Sequence, residues 1–259
     1  MKVKNNILLL LAAFLCTVAL HAQDTVSIDI NAVKLEADSA FAQEKYDEAA
    51  EMYRNVYDAT ESSQVCYNLG CSYYRLDSIA KSVLWFERAL LLDCGNEDIR
   101  FNLELARSKT IDKITPVHEI FFLSLYRSIV NMMNLHGWAV VCIVCFCLAL
   151  IGLALFFFSD KMALRKTGFY SFIVFFLLVI LGNVCGYQQR YYAQNRNSGI
   201  IMSSAVTVKS TPAENGNDLF VIHEGTKVEI QDSTLKEWCE IKIADGKVGW
   251  IRKDVMEII

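Results

Sequence analysis

The sequence predicts a multidomain chain: an all-α stack of helical repeats, two transmembrane α-helices and a small all-β barrel. Three observations carry this. Apolar and small residues recur every 33–34 positions between residues 31 and 112. Two uncharged apolar runs, of 21 and 20 residues, follow. From about Gly199 the texture changes to short alternating segments separated by glycine turns. The chain has 259 residues, room for about two small domains. Its 54% apolar content exceeds what a soluble repeat stack needs, and the excess lies in the runs.

Residues 1–22 are predicted to be a signal peptide. Lys2 and Lys4 precede the apolar core ILLLLAAFLCTVAL, and Ala22 offers a small residue at the cleavage point. Cys16 lacks a lipobox-like context.

Residues 31–112 hold about two and a half helical units. In 67–93, YNLGCSYYRLDSIAKSVLWFERALLLD, the positions of interest are Leu69-Gly70, Tyr73, Leu76, Phe86, Ala89 and Leu92-Asp93. Thirty-three residues earlier, Ala37, Tyr46, Ala49, Tyr53 and Val56 match Gly70, Ile79, Ser82, Phe86 and Ala89. Small residues mark close helix crossings and large ones fill the space beside them. Asn68-Leu69 reappears as Asn102-Leu103, so Glu97–Lys109 starts a third, incomplete unit whose charges suit a polar capping face. These offsets resemble the tetratricopeptide repeat (TPR), a helix–turn–helix unit of about 34 residues that stacks on its copies. Departures are mild: Ser82 for Ala, Ile79 for Tyr, Cys94 for Pro, and Glu36 for Leu in the first unit.

The resemblance implies a partner-binding groove lined by the first helix of each unit. By position it holds Lys34, Asp38 and Phe41, then Tyr67, Asn68, Cys71, Tyr74 and Arg75, then Phe101, Asn102 and Leu105. Lys34 and Asn68 match the clamp by which some TPR proteins hold a C-terminal carboxylate. Asp38 and Asp98 place anions where that clamp needs donors, which favours an aromatic and polar groove instead.

Residues 119–137, EIFFLSLYRSIVNMMNLHG, are apolar but interrupted by Arg127, as in an interfacial amphipathic helix. The uncharged runs are 138–158 and 167–186, each long enough to span a bilayer. Trp138 at one end and Tyr187, Tyr191 and Tyr192 at the other suit an aromatic belt. The loop 159–166 carries Lys161, Arg165 and Lys166 against Asp160. The positive-inside rule makes it cytoplasmic and puts the repeats and the C-terminal module together on the outer face.

In residues 199–259, strands are expected at Val206–Val208, Lys227–Ile230, Trp238–Ile243 and Val248–Ile251. The segments VTVKSTP, LFVIHEGTKVEI and WCEIKIADGKVGWIRKDVMEII resemble a bacterial SH3-like (SH3b) domain. Trp250 then either borders a ligand groove or packs inside the barrel. Seven Lys and Arg against ten Asp and Glu give this module a net charge of −3, which argues against nucleic acid.

Chemistry for catalysis is not apparent. HExxH, Walker A and GxSxG motifs are missing, and the four histidines are scattered. Cys142, Cys145 and Cys147 form a CxxCxC pattern inside an apolar run, where incidental placement outweighs a metal site. No cofactor, metal site or essential disulfide is expected. Signal peptide, repeats, two spans and terminal barrel in this order are similar to the BatE family of the Bacteroides aerotolerance (Bat) system. NEDIRFNLELAR adds to that similarity. It implies a non-enzymatic inner-membrane scaffold with both modules in the periplasm. The implied partners are Bat membrane proteins with von Willebrand A domains and, indirectly, a MoxR-type AAA+ ATPase. The alternative is an envelope sensor that binds peptidoglycan through the barrel.

Overall fold

The computed structural model describes residues 28–115 and 121–259. The predicted signal peptide (1–22) and residues 119–120 of the predicted interfacial helix lie outside the described residues. Five helices come first: α1 (Ile28–Ala42), α2 (Tyr46–Ala59), α3 (Ser63–Arg75), α4 (Ile79–Leu92) and α5 (Glu97–Ser108). Three follow: α6 (Phe121–Val130), α7 (Leu135–Phe158) and α8 (Met162–Gln194). The chain ends in a seven-stranded antiparallel sheet.

The 33-residue recurrence is written into the backbone. Glu44 and Asp77, 33 positions apart, both adopt positive φ (64° and 56°). Each closes the same helix-ending motif. Lys45 N–H donates to Ala40 O at 3.0 Å, and Ser78 N–H to Tyr73 O at 2.9 Å. Glu44 N–H donates to Phe41 O, and Asp77 N–H to Tyr74 O. Such six-to-one and five-to-two bonds satisfy the carbonyls left over at a helix end. Glycine would fit these left-handed positions at less cost, so the shared geometry in two acidic residues reflects a common role.

Packing repeats as well. A Cβ on Gly70 would lie 2.5 Å from the Phe86 ring, so only glycine lets α3 approach α4 this closely. Ala37 and Tyr53, fully buried, stand at the equivalent places in α1 and α2. Asn96 opens α5 by accepting from Asp98 N–H and Ile99 N–H. Leu103 is buried like its counterpart Leu69. At the Gly70 position, however, α5 carries Glu104, which is exposed. The helical stack ends there, on a polar face.

Helices α7 and α8 are long and apolar enough to cross a membrane. They form an antiparallel hairpin. A Cβ on Gly168 would meet Gly152 O at 2.6 Å, so the two backbones touch where side chains are missing. Helix α7 starts three residues before the predicted span and ends with it at Phe158. Helix α8 runs 33 residues, well beyond the predicted 167–186. At about 1.5 Å per residue that is roughly 50 Å, against about 30 Å of hydrocarbon. The surplus carries Tyr187, Gln189, Tyr191 and Tyr192 past the apolar region. The predicted interfacial helix 119–137 is shorter than expected: α6 stops at Val130, and Asn134 caps α7 by accepting from Gly137 N–H. Gln189 ties these parts together, donating to Val130 O, Met133 O and the Cys94 sulfur.

The strands are β1 (Ser198–Ile201), β2 (Ala205–Lys209), β3 (Asp218–His223), β4 (Lys227–Asp232), β5 (Trp238–Lys242), β6 (Val248–Arg252) and β7 (Met256–Ile258). Their order is β3-β2-β6-β5-β4-β1-β7. The four expected strands are β2, β4, β5 and β6; β1, β3 and β7 were not expected as strands. Inward residues alternate along β2, β5 and β6. They build one core with Ile201, Val208, Ile222, Val228, Cys239, Ile241 and Ile251.

The sheet does not stand apart from the helices. Ile200 and Ile259 are buried with Val83, Leu84, Phe86, Leu103 and Ala106. Removing the two isoleucine side chains from water contributes about 2 kcal/mol each. Glu87 on α4 is 4% exposed and accepts from both Arg107 of α5 and Lys227 of β4. Arg88 donates to Glu257 Oε1 at 3.0 Å and to Ile258 O at 2.6 Å. Asp112, in the chain leaving α5, accepts from His223 N–H, the Thr226 hydroxyl and the His223 ring. Gly225 (φ 80°) makes the turn under this staple, where a Cβ would lie 2.7 Å from Thr110.

Burial pushes the Glu87 carboxyl up, yet Lys227 and Arg107 outweigh it and hold it below its ordinary 4.5. Asp112 is likewise held below 3.8, because bonds from His223 and Thr226 outweigh its burial. Depressed carboxyls stabilise the fold fully above their ordinary values and lose that contribution as pH falls through the lowered ones. Acidification below about pH 4.5 should therefore lower the melting temperature of the protein in nanodiscs. Glu87→Gln should cost about 2 kcal/mol, since it leaves two cations facing a neutral amide. It should also flatten the acid dependence, as read by thermal unfolding.

Candidate partner-binding surfaces

Helices α1, α3 and α5 lie side by side, joined by polar bonds. Asn68 Nδ2 of α3 donates to Asp38 Oδ1 of α1 at 3.3 Å. Asn102 Nδ2 of α5 donates to the Tyr67 hydroxyl of α3 at 3.1 Å. Tyr53 of α2 donates to the same Asp38 oxygen at 2.6 Å. The sheet packs against α4 and the residues of α5 that face it, so the face formed by α1, α3 and α5 stays open.

The predicted groove residues occupy this face unequally. Phe101 is 67% exposed and Leu105 39%, one turn apart on α5. Tyr74 is half-buried with the Lys109 ammonium 4.2 Å from its ring centre. Tyr67 is half-buried against Phe86, and burial, with Cys71 nearby, pushes its hydroxyl up to about 12. Cys71 is half-buried beside them. Arg75 is exposed and reaches over the Tyr46 ring. Lys34 is half-buried and makes no ion pair among the described residues. Phe41 is half-buried, edge-on to Tyr46 at 5.2 Å, and packs on the helical core as Tyr67 does. Asn68, committed to Asp38, is drawn away from the donor role of a carboxylate clamp.

At the amino-terminal ends of α3 and α5 the groove opens into a notch of about 300 Å³, lined by Ser63, Gln64, Tyr67, Asp93, Asn96, Asp98 and Ile99. Asp93 and Asp98 have no cationic partner within 4 Å among the described residues. Sequence spacing singled out Asp98 only as an obstacle to a clamp; Asp93 joins it because the α4–α5 turn folds back beside α3.

On the sheet, Trp250 lies on the outward side of β6, between the inward Gly249 and Ile251, and is half-buried. It pairs across the sheet with Glu240 and Lys209. Trp238, not singled out from the sequence, points the same way from β5 and pairs with Arg252. The signal was available: the Ala244-Asp245-Gly246 turn fixes a hairpin register that puts both tryptophans on one face. Two larger cavities lie between helices and sheet: one of about 830 Å³ between the end of α5, Arg127 and the sheet, and one of about 460 Å³ that also meets the end of α8. Both are lined by Ser198, Lys227 and Glu229.

Nucleophile chemistry is muted. Burial pushes the Cys66 thiol up to about 12 and Cys239 up to about 11. Among the described residues no three His, Cys, Asp or Glu side chains gather as metal ligands. No protein-family model matches the chain, and no curated protein matches it.

The Asp38 network is a support for the open face. Asp38→Ala strands the hydroxyl of Tyr53, a side chain 2% exposed, and frees Asn68. A loss of about 1–2 kcal/mol is expected in denaturant unfolding. Asp38→Asn, which keeps an acceptor, should lose less.

Proposed function

We propose that this chain is a non-enzymatic, double-pass inner-membrane scaffold that binds partner proteins through a periplasmic TPR groove and an SH3-like domain. In this reading it is a BatE-type component of a Bat complex concerned with aerotolerance or envelope stress. Its partners there are von Willebrand A domain membrane proteins and, indirectly, a MoxR-type ATPase. The observation that carries the scaffold reading is the duplicated helix-ending motif at Glu44 and Asp77. Together with the Gly70–Phe86 crossing, it builds a helical stack with one covered face and one open face. An open face carrying Phe101 and Leu105 suits a protein ligand better than a small molecule. The two apolar helices, with Lys161 in the turn between them and Arg165 and Lys166 at the start of α8, support the double-pass topology.

The peptidoglycan-sensor alternative draws on the outward Trp238 and Trp250. Docking of the sheet on α4 weighs against it, since a sensor barrel works best as a free module. In-membrane crosslinking followed by co-purification tests the scaffold reading. Tyr74→Glu and Phe101→Glu should each abolish recovery of crosslinked partners at unchanged protein level. Unchanged recovery in both would refute the groove.

A further inference from the structure

The open face is polarised. Its notch end holds two carboxylates, Asp93 at the end of α4 and Asp98 at the start of α5. A helix start carries only about half a positive charge. Part of that is already met by Asn96, which accepts from Asp98 N–H and Ile99 N–H. Arg100, on the same helix, is turned to the Cys94 carbonyl at 2.9 Å. Among the described residues the Asp93 carboxylate accepts from the Asn96 side-chain amide, at 3.3 Å. The notch is therefore a net anionic recess of about 300 Å³. Three and seven residues further along the same helix, Phe101 and Leu105 present 67% and 39% of their surface. From Asp98 to Leu105 is about 10 Å along the helix axis. An extended peptide covers that in about three residues.

We propose that the groove takes an extended peptide segment that seats a Lys or Arg side chain in the Asp93–Asp98 notch and lays a bulky apolar side chain, two or three positions away, on Phe101 and Leu105. This deepens the groove reading and rests on it. It reverses the sign of the carboxylate clamp: the anion belongs to the groove and the cation to the ligand. The aromatic wall of Tyr67 and Tyr74 adds contact area without adding charge.

The test uses the full-length protein in nanodiscs and a phage-displayed library of random twelve-residue peptides, with empty nanodiscs to remove background. One enriched peptide, synthesised with a fluorophore, is then titrated by anisotropy. Enriched sequences should share a Lys or Arg two or three positions from Leu, Ile, Phe or Trp. Asp93→Asn with Asp98→Asn should weaken binding at least tenfold, and Asp98→Lys at least as much, with thermal unfolding showing each variant folded. Phe101→Ala should also weaken it at least tenfold. Acidic or charge-blind enrichment, or equal affinity in the neutralised variants, overturns the inference. If such charge-blind peptides still lose binding in Phe101→Ala, the groove survives and only the basic anchor falls. Peptides indifferent to both Phe101→Ala and Tyr74→Glu, or no enrichment, overturn groove and anchor together.

Discussion

One buried carboxylate, Glu87, joins α4 to α5 and to the sheet. Glu87 is sealed inside α4 and is met by a guanidinium from α5 and an ammonium from β4. A lone buried carboxylate costs several kcal/mol, so the position is tolerable only while both cations are in place. That requirement fixes α5 against α4 and the sheet against both. Apolar burial of Ile200 and Ile259 supplies the driving force, while the charges supply register. Arg88, packed 4.6 Å from the Trp85 ring centre, holds the last strand from the same helix. At the other end Arg196 pairs with Glu61, which also accepts from Tyr57. The sheet is thus pinned to both helical units.

This docking sets which helical surface stays open. A helical stack has two broad faces, and here the sheet and the base of α8 occupy the side of α4. What remains is the side of α1, α3 and α5, where Phe101, Leu105, Tyr74 and the acidic notch stand together. The polar end at Glu104 stops the stack after two and a half units, so the groove is short. In the proposed scaffold reading it takes a peptide or loop rather than a domain. Gln189 extends the same logic toward the apolar hairpin, because its amide holds the α6–α7 turn and Cys94 at once.

Much of the helical architecture was legible because it repeats. Close crossings need small residues, so Gly70 and Ala37 betray themselves by spacing, and an apolar run of twenty residues has few other uses. The docking was not legible. Glu87 and Lys227 are 140 residues apart, and Asp112 and His223 are 111 apart. A single charged residue on an amphipathic helix carries no period to mark it. The far end of α8 was missed because its last turns, YQQRYYAQ, are polar while hydropathy marks only the segment before them. Strand β3 hid because it is an edge whose outward Leu219 and Val221, both about half exposed, are as apolar as the inward Phe220 and Ile222, so the sequence does not alternate polar with apolar.

Glu87 and its two cations join helices and sheet, and a fixed docking follows from that contact. The most direct measurement is a distance distribution between spin labels carried by unnatural amino acids at Glu51 on α2 and Lys236 before β5, both exposed. It is recorded by double electron–electron resonance on the full-length protein in nanodiscs near neutral pH. A single narrow distance that broadens in Glu87→Gln is the predicted result. A broad distribution in the native protein, unchanged by that substitution, would mean two independent modules on a tether and would contradict the account.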